Sequence, residues 1–249
     1  MISLKSNSEI EIMREAGFIV ASAVMEAFDV MEPGITTKEL DNITCSVIKK
    51  QGAKPAFLGL YGFPATACVS INNEIVHGIP SDDRIIKNGD IVTIDCGAIV
   101  DGLYSDHAVS KIAGEDINNN RTIIETTKGS LNQAIKEIKP GNRLGDVSNA
   151  VESYVRPKGF ELVREYVGHG IGRQLHEPPQ VPNIGSPSTG IELRPGLVLA
   201  IEPMLTAGGW ETEKLDDDWT VVTKDGSMSC HFEHTVAVTD IGFDILTKI

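Results

Sequence analysis

Two aspartates flank a strong turn signal in the first half of the chain. The dipeptide Asp101-Gly102 separates two runs rich in β-branched residues, which predicts a hairpin with a two-residue loop. Counting outward from that loop places Asp95 opposite Ala108. Because side chains alternate along a strand, Asp95 and Asp106 are then expected on one face of the hairpin.

This register has a chemical consequence for Asp95 and Asp106. Diagonal neighbours on paired strands have β-carbons roughly 7 Å apart or a little less, which is too close for two buried charges without a partner. Bridged cations would supply that partner. The alternative is a solvated hairpin face on which the two aspartates are ordinary surface charges.

Further acids and imidazoles suit the same chemistry. Four carboxylates with one imidazole are typical ligands of paired divalent ions such as Mn, Fe, Co or Zn. A site with two such ions activates water and polarises a carbonyl, which is hydrolase chemistry. Each residue taken alone could be a core, surface or salt-bridged residue, so the hypothesis depends on their joint occurrence. The strongest further candidates are His77, His169, His176, Glu202 and Glu233.

Two familiar motifs are excluded near His169. The run Gly168-x-Gly170-x-Gly172 is not a dinucleotide loop, because Pro178 and Pro179 prevent a long helix behind it. No second histidine follows His176 at the spacing of a zincin helix. We therefore expect the glycines to let backbone and substrate approach a metal-bound His169.

Composition limits the function classes. The 249 residues carry a formal net charge of -13, which argues against broad nucleic-acid binding and against binding to an anionic membrane surface. The four cysteines are far apart and form no C-x-x-C motif, which favours reduced thiols. The first residues lack the apolar core of a signal peptide, and no apolar run is long enough to span a membrane. These features predict a cytoplasmic protein.

Helical patterns occur twice along the chain. Ser6 to Ser8 can cap a first amphipathic helix that ends by Pro33-Gly34, and Thr36 with Glu39 forms a capping box for a second helix through Lys50. A third helix is predicted from Asn118 through Ile138, and a fourth from about Leu144 to Val155. Further strands are predicted at Ala67–Ile71, Trp219–Thr223, Cys230–Val238 and Asp244–Thr247, with Asp225-Gly226 as a second hairpin signal.

A constant offset of 107 residues relates the two halves. It connects Pro33 with Pro140, Gly52 with Gly159, Gly89 with Gly196 and Asp95 with Glu202. We therefore predict an α+β fold of two helix-helix-strand units with pseudo-two-fold symmetry and helices on one side of a sheet. Residues 1–249 are expected to form a single catalytic domain, with halves at roughly 1–117 and 118–249.

Six motifs resemble those of type I methionine aminopeptidases of the bacterial kind, in the same order and with similar spacing. That group belongs to peptidase family M24, and its pita-bread fold is a mainly antiparallel curved sheet covered by helices. The resemblance covers almost the whole chain. The motifs are Asn72–Pro80 (NNEIVHGIP), Gly89–Asp95 (GDIVTID), Gly168–Gly172 (GHGIG), His176–Pro179 (HEPP), Ile201–Pro203 (IEP) and Glu233–Thr235 (EHT).

The resemblance implies removal of the initiator methionine from nascent chains whose second residue is small. It implies that Asp106 and Glu233 bridge two divalent ions and that Glu202 also assists proton transfer to and from an activated water. His176 would lie near the scissile carbonyl and His77 near its nitrogen. The implied metal ligands are Asp95, Asp106, His169, Glu202 and Glu233, and the implied methionine pocket is Phe63, Cys68, Leu175 and Trp219.

Two kinds of observation give expectations for further residues: the alternation of side chains along strands, and differences from the pattern common in the family. Alternation predicts His231 on the Glu233 face, His234 on the opposite face, and Cys96 pointing away from Asp95. His107, Leu175 and His231 differ from the pattern common in the family, and His231 adds an imidazole near the ions.

Two other functions remain open at this stage. One is a proline-specific exopeptidase of the same fold, related to aminopeptidase P or prolidase, although those relatives carry a large N-terminal domain. The other is a non-catalytic pita-bread module that binds peptides, ribosomes or nucleic acid, although such proteins have lost ligands. For the enzyme we expect nascent N-termini as partners, transient ribosome contact, no specific nucleic acid, no membrane, and a monomer.

Overall fold

A computed structural model describes residues 2–249. Capping boxes begin the first two helices, since Ser6 with Glu9 and Thr36 with Glu39 exchange side-chain and backbone hydrogen bonds. The second box was predicted, whereas for the first helix only a cap within Ser6 to Ser8 was expected. No helix within residues 2–249 is long and apolar enough to cross a membrane. The helices are α1 (Asn7–Asp29), α2 (Thr37–Lys50), α3 (Arg121–Lys136) and α4 (Leu144–Val155), with 3-10 turns at Leu60–Gly62 and Arg156–Lys158.

The strands form three sheets in which neighbouring strands run antiparallel. The largest has nine strands in the order β1-β4-β5-β14-β9-β7-β8, with β2 added on β4 and β15 on β14. The other two are β13-β10-β6 and β11-β12-β3. The strands are β1 (Lys54–Pro55), β2 (Ala67–Ile71), β3 (Glu74–Val76), β4 (Ile91–Val100), β5 (Leu103–Ile112), β6 (Glu161–Leu162), β7 (Gly168–Gly170), β8 (Glu177–Val181), β9 (Val198–Ile201), β10 (Met204–Thr206), β11 (Thr212–Lys214), β12 (Val221–Thr223), β13 (Ser229–His231), β14 (Glu233–Val238) and β15 (Phe243–Ile245).

The β4–β5 hairpin has the predicted register. Asp95 lies opposite Ala108, and Asp106 lies opposite Gly97. Both loop residues have positive φ, +47° at Asp101 and +78° at Gly102, as a tight hairpin turn of this kind requires. The two-residue loop therefore determines which face of the sheet carries both carboxylates.

The helices pack on the face of the sheet opposite Asp95. The side chains of Val92, Ile94, Cys96 and Ala98 alternate with Asp95 along β4 and belong to the hydrophobic core that includes α1 and α2. A second core joins α3 and α4 to residues of β9 and β14. The predicted α+β arrangement is confirmed, and Cys96 is a buried core thiol as expected.

The 107-residue offset relates elements as well as residues. It connects the first residue of α2 with that of α4 (37 and 144), of β1 with that of β6 (54 and 161), and of β4 with that of β9 (91 and 198). It also connects the ends of α1 and α3, at 29 and 136. The duplicated helix-helix-strand units therefore share their geometry as far as the central strands.

Two sequence expectations need adjustment in the second half. The predicted strand at Cys230–Val238 is interrupted at Phe232, so that β13 pairs with β10 whereas β14 pairs with β5 and β9. The prediction of a hairpin at Asp225-Gly226 was wrong. The Gly226 N–H does donate to the Thr223 carbonyl in a turn, but β12 pairs with β3 and β11 instead of β13. The tertiary partners of these strands outweigh the local turn signal.

An ion pair attaches the N-terminal segment to the loop before β8. Lys5 Nζ lies 2.6 Å from Glu177 Oε2, with side chains only 2% and 10% exposed. The other oxygen of Glu177 accepts the backbone N–H of Arg173 at 2.7 Å and of Gln174 at 3.2 Å. The pair therefore stabilises the loop on which His176 lies.

Replacing Lys5 with Met should lower the free energy of unfolding by about 3 kcal/mol, because it leaves a nearly buried carboxylate without its cation. Urea denaturation followed by circular dichroism measures this change. The matched control is Lys214→Met, which breaks the exposed pair with Asp218 at 3.8 Å and should change the same quantity by less than about 0.5 kcal/mol. Equal losses in the two variants would contradict a stabilising role for the buried pair.

Candidate metal centre

One cavity of about 170 Å³ is lined by every residue expected to bind metal, to act in catalysis or to form the methionine pocket. Carboxylates and imidazoles line one part of it and apolar side chains line the other. Phe57, Leu60, Tyr61 and Val76 complete the lining and were not predicted. The predicted residues in the lining are Phe63, Cys68, His77, Asp95, Asp106, His169, Leu175, His176, Glu202, Trp219 and Glu233.

Strands from both halves of the chain position the charged side chains. Asp95 lies on β4 and Asp106 on β5, while Glu233 begins β14 and His169 is the central residue of β7. Ligand atoms of Asp106, His169 and Glu233 all lie within 4.8 Å of one another. Glu202 follows β9, and its Oε1 lies 3.6 Å from His169 Nε2.

The glycines beside His169 allow neighbouring strands to approach closely. A β-carbon on Gly168 would lie 2.4 Å from the Ala200 carbonyl oxygen of β9, and one on Gly170 would lie 2.3 Å from the Pro178 carbonyl oxygen of β8. These contacts involve backbone atoms, so a larger residue would separate the strands. The glycines thus fix His169 between two strands, a structural reason that differs from the expected approach of substrate.

Side-chain hydrogen bonds join β5 to β14 where the two strands carry Asp106 and Glu233. Thr235 Oγ1 accepts the Asp106 N–H at 2.9 Å and donates to the Asp106 carbonyl at 2.8 Å. His107 Nδ1 lies 2.6 Å from the Glu233 carbonyl oxygen, which can only accept, so this nitrogen carries the proton. The backbone of Asp106 is therefore held by Thr235, and the backbone of Glu233 by His107.

Burial raises the pKa of each carboxyl group in the cluster. The pKa of Asp95 rises to about 7, and the pKa values of Asp106, Glu202 and Glu233 rise well above their ordinary range. Nearby carboxylates add to the effect of burial for the last three. Within residues 2–249, neither lysine nor arginine lines the cavity. The counter-charge that would ionise this cluster must therefore come from a bound cation.

The surrounding imidazoles are neutral at ordinary pH. Burial, together with a smaller effect of a neighbouring imidazole, lowers the pKa of His77 and of His169 to about 4 and the pKa of His231 to about 3. The ring of His169 has its Nδ1 2.9 Å from the Gly170 carbonyl oxygen. This contact places the proton on Nδ1 and directs the lone pair of Nε2 into the cluster, as a metal ligand requires.

The donor set fits divalent cations on structural grounds. Among the described residues, Asp95 Oδ1 and Glu233 Oε1 are buried oxygens without a hydrogen-bond partner. Buried polar atoms of native proteins are nearly always satisfied, so such orphans beside carboxylates indicate an ion-binding site. Oxygen ligands with one imidazole suit Mn, Fe, Co or Zn better than copper.

The apolar side of the cavity is built from aromatic and sulfur-containing residues. The rings of Phe63 and Trp219 meet edge to face, with centroids 5.1 Å apart. Trp219 also contacts the ring of His77 at a centroid distance of 6.3 Å. Tyr61 is exposed and stacks on His176 at 6.3 Å, at the edge of the cavity. The run of aromatic, leucine and glycine residues from 57 to 63 was the signal that could have indicated this wall.

The backbone conformation of His77 and the positions of His231 and His234 complete the description of the histidines around the site. His77 has φ of +62°, a left-handed conformation that is uncommon for residues other than glycine and often marks functional sites. His231 Nε2 lies 3.7 Å from Glu202 Oε2, on the Glu233 side as predicted. His234 stacks on His107 at a centroid distance of 4.9 Å, away from the cavity.

Comparison with known proteins gives full-length relatives. Methionine aminopeptidase 1 of Bacillus subtilis is 50% identical over 249 residues, which are 100% of both chains. The crystal structure of a methionine aminopeptidase from Thermotoga maritima superposes with a TM-score of 0.98 at 48% identity and covers 100% of both chains.

More distant similarity extends to a prolidase. The prolidase from Pyrococcus horikoshii matches with a TM-score of 0.79 at 26% identity, over 98% of this chain and 63% of that one. The model of metallopeptidase family M24 matches residues 11–240. The chain belongs to metallopeptidase family M24.

Proposed function

We propose that this chain hydrolyses the first peptide bond of peptides that begin with methionine and have a small second residue. The observation that carries the proposal is one cavity in which an apolar pocket opens directly onto the carboxylate cluster. The walls formed by Phe63, Cys68, Leu175 and Trp219 suit an unbranched thioether. The full-length relatives named methionine aminopeptidase support the same activity.

We propose that Asp95, Asp106, His169, Glu202 and Glu233 hold two divalent ions. Two dications would balance the four carboxylates, whose raised pKa values otherwise oppose ionisation. When bound, the ions supply Lewis-acid polarisation of the peptide carbonyl and lower the pKa of water. The identity of the ions is left to experiment, with Mn, Fe, Co and Zn as candidates.

Three residues would carry the proton transfers and orient the substrate. Glu202 takes a proton from the attacking water and returns it to the leaving nitrogen, because its carboxylate lies within the cluster and has a raised pKa. His176 would donate a hydrogen bond to the scissile carbonyl oxygen, and His77 would contact the nitrogen. Both rings have lowered pKa values and so remain neutral, with one N–H each to donate.

A second, more polar cavity gives the rest of the peptide a path away from the site. Its volume is about 440 Å³, and it shares His77, His169, His176 and Glu202 with the first cavity. A peptide whose methionine occupies the apolar pocket would therefore extend past both histidines. We propose that this cavity binds the residues that follow the cleaved bond.

Compartment, partners and assembly stay predictions. The four cysteines form no disulfide among residues 2–249, which is consistent with a reducing cytoplasm. We expect nascent N-termini to be the substrates of a monomeric single catalytic domain, with only transient contact to the ribosome.

Methionine release from Met-Ala-Ser and Met-Pro peptides, alongside Ala-Pro-Ala, tests the proposed function. Metal-stripped protein reconstituted with Mn, Fe, Co or Zn in turn should release methionine from the first two peptides only. The variant Glu202→Gln keeps the shape of the side chain but cannot move the proton, so kcat should fall by about 10²- to 10⁴-fold. Cleavage of Ala-Pro-Ala alone would indicate a proline-specific enzyme, and metal binding without turnover would indicate a binding module.

Replacing His77 with Asn should remove the imidazole while keeping the left-handed backbone conformation. Asparagine tolerates the left-handed region, so the melting temperature should stay within about 2 °C. The lost contact to the substrate should lower kcat/KM by about 10²-fold. Unchanged kcat/KM in a folded His77→Asn variant would exclude the role given to the imidazole.

Metal removal should destabilise the protein most at high pH. The four carboxyl groups have raised pKa values in the folded protein, so without metal they stabilise it at low pH, and this contribution is lost as the pH rises through the folded-state pKa of each group, about 7 for Asp95. The buried histidines have lowered pKa values, so their contribution to stability rises with pH. That rise is complete above about pH 6.5 and does not affect the comparison at higher pH.

Differential scanning fluorimetry at about pH 6.5 and about pH 8.5 measures this effect. The gap in melting temperature between metal-loaded and metal-free protein should widen by roughly 5 °C at the higher pH. Metal-free Asp95→Asn, which lacks one of the charges, should lose less stability over the same range. A constant gap would show that the cluster does not depend on cations for its charge balance.

A further inference from the structure

Glu202 lies between two imidazoles. Its Oε1 is 3.6 Å from His169 Nε2 and its Oε2 is 3.7 Å from His231 Nε2. The side chain of His231 is 2% exposed and that of Glu202 is 13% exposed, so both side chains are largely buried. The carboxylate is therefore flanked by a nitrogen atom on each side.

The two imidazoles differ in what they can offer to Glu202. The contact between His169 Nδ1 and the Gly170 carbonyl oxygen assigns the proton to Nδ1, so Nε2 of the neutral ring has only a lone pair. Neither ring nitrogen of His231 has a hydrogen-bond partner in residues 2–249. No contact there restricts its tautomer, and its Nε2 is free to carry the proton. His231 can donate to Glu202, whereas neutral His169 cannot.

The backbone of His231 is held rigidly relative to the carboxylate cluster. Ser110 Oγ donates to the His231 carbonyl at 2.7 Å and accepts the His231 N–H at 3.2 Å. The same hydroxyl lies 2.7 Å from Thr93 Oγ1. Ser110 and Thr93 are on β5 and β4, the strands that carry Asp106 and Asp95. The ring of His231 thus has a fixed anchor beside Glu202.

A buried imidazole without any partner is costly, because its polar nitrogens have lost their hydrogen bonds to water and gained none in return. The separation of 3.7 Å exceeds a hydrogen bond by less than an ångström, a distance that a small rotation of either side chain removes. Glu202 Oε2 is a strong acceptor in its ionised form. Closing this contact would satisfy Nε2 and give the carboxylate one preferred orientation.

We propose that His231 is a positioning residue that donates its Nε2–H to Glu202 Oε2. This leaves Oε1, on the His169 side, for the cation and for the proton transfer. The inference rests on the proposed function, because Glu202 is the group through which His231 acts.

The variants His231→Leu and His231→Gln test the proposal. Leucine fills much of the space without a donor, whereas the amide of glutamine retains one. Circular dichroism and thermal melts first establish that each variant folds. We expect His231→Leu to weaken Co²⁺ binding in calorimetry by about tenfold or more and to lower kcat on Met-Ala-Ser by a similar factor, with KM within about threefold. His231→Gln should restore most of both.

A double variant distinguishes positioning from direct ligation. If His231 acts through Glu202, His231→Leu should have little further effect on Co²⁺ affinity in the Glu202→Gln background. The visible absorption of bound Co²⁺ should keep its band positions in His231→Gln. Shifted bands in both His231 variants would mean that His231 itself binds the ion, and equal losses in the two variants, or none in folded His231→Leu, would also overturn the proposal.

Failure of the proposed function looks different from failure of this inference. Wild-type protein that binds Co²⁺ but releases no methionine would refute the proposed activity, while the affinities of the two variants would still decide the role of His231. Wild-type protein that binds no Co²⁺ would refute both the proposed activity and the positioning role of His231. Normal turnover and binding in all folded variants would leave the proposed activity intact and refute only the positioning role.

Discussion

The burial of four carboxyl groups at one point is the constraint on which the rest of the structure depends. Burial raises the pKa of Asp95 to about 7 even though a hydrogen bond with Asp106 lowers it, and each added carboxylate makes ionisation of the next more costly. The protein places neither lysine nor arginine in the lining of this cavity, within residues 2–249. The energetic cost of ionising these buried carboxyl groups is tolerable only if cations from solution bind beside them. The fold therefore lacks balancing positive charge at the place where chemistry is expected.

A stiff framework is needed to hold like charges together. The β4–β5 hairpin supplies it for Asp95 and Asp106, and hydrogen bonds from Thr235 and His107 join this hairpin to β14 beside Glu233. The glycines of β7 let two flanking strands close on His169. Each ligand therefore lies on a regular strand or directly beside one, which restricts its movement more than a loop would.

Features of the fold and of the site that local contacts determine could be predicted from the sequence, whereas those that depend on distant contacts could not. Asp101-Gly102 gave the right register because a two-residue turn leaves its strands only one pairing. The capping residues of α1 and the capping box of α2 gave the starts of these helices for a similar local reason. At Asp225-Gly226 a turn also forms, but distant strands compete for its flanks, so the hairpin prediction failed. The contact between Glu202 and His231 likewise required the three-dimensional structure, since no periodicity relates the two residues.

The internal repeat explains which parts of the site are symmetric and which are not. Asp95 and Glu202 are related by the offset of 107 residues, and so are Cys68 and Leu175 on the apolar wall. The symmetry ends after the central strands, because a two-residue turn joins β4 to β5 whereas residues 202–232 connect β9 to β14. That longer connection carries Trp219 and His231, which have no counterpart in the turn of the first half. The longer connection therefore adds Trp219 to an apolar wall that other segments also build, and it places a second imidazole beside Glu202.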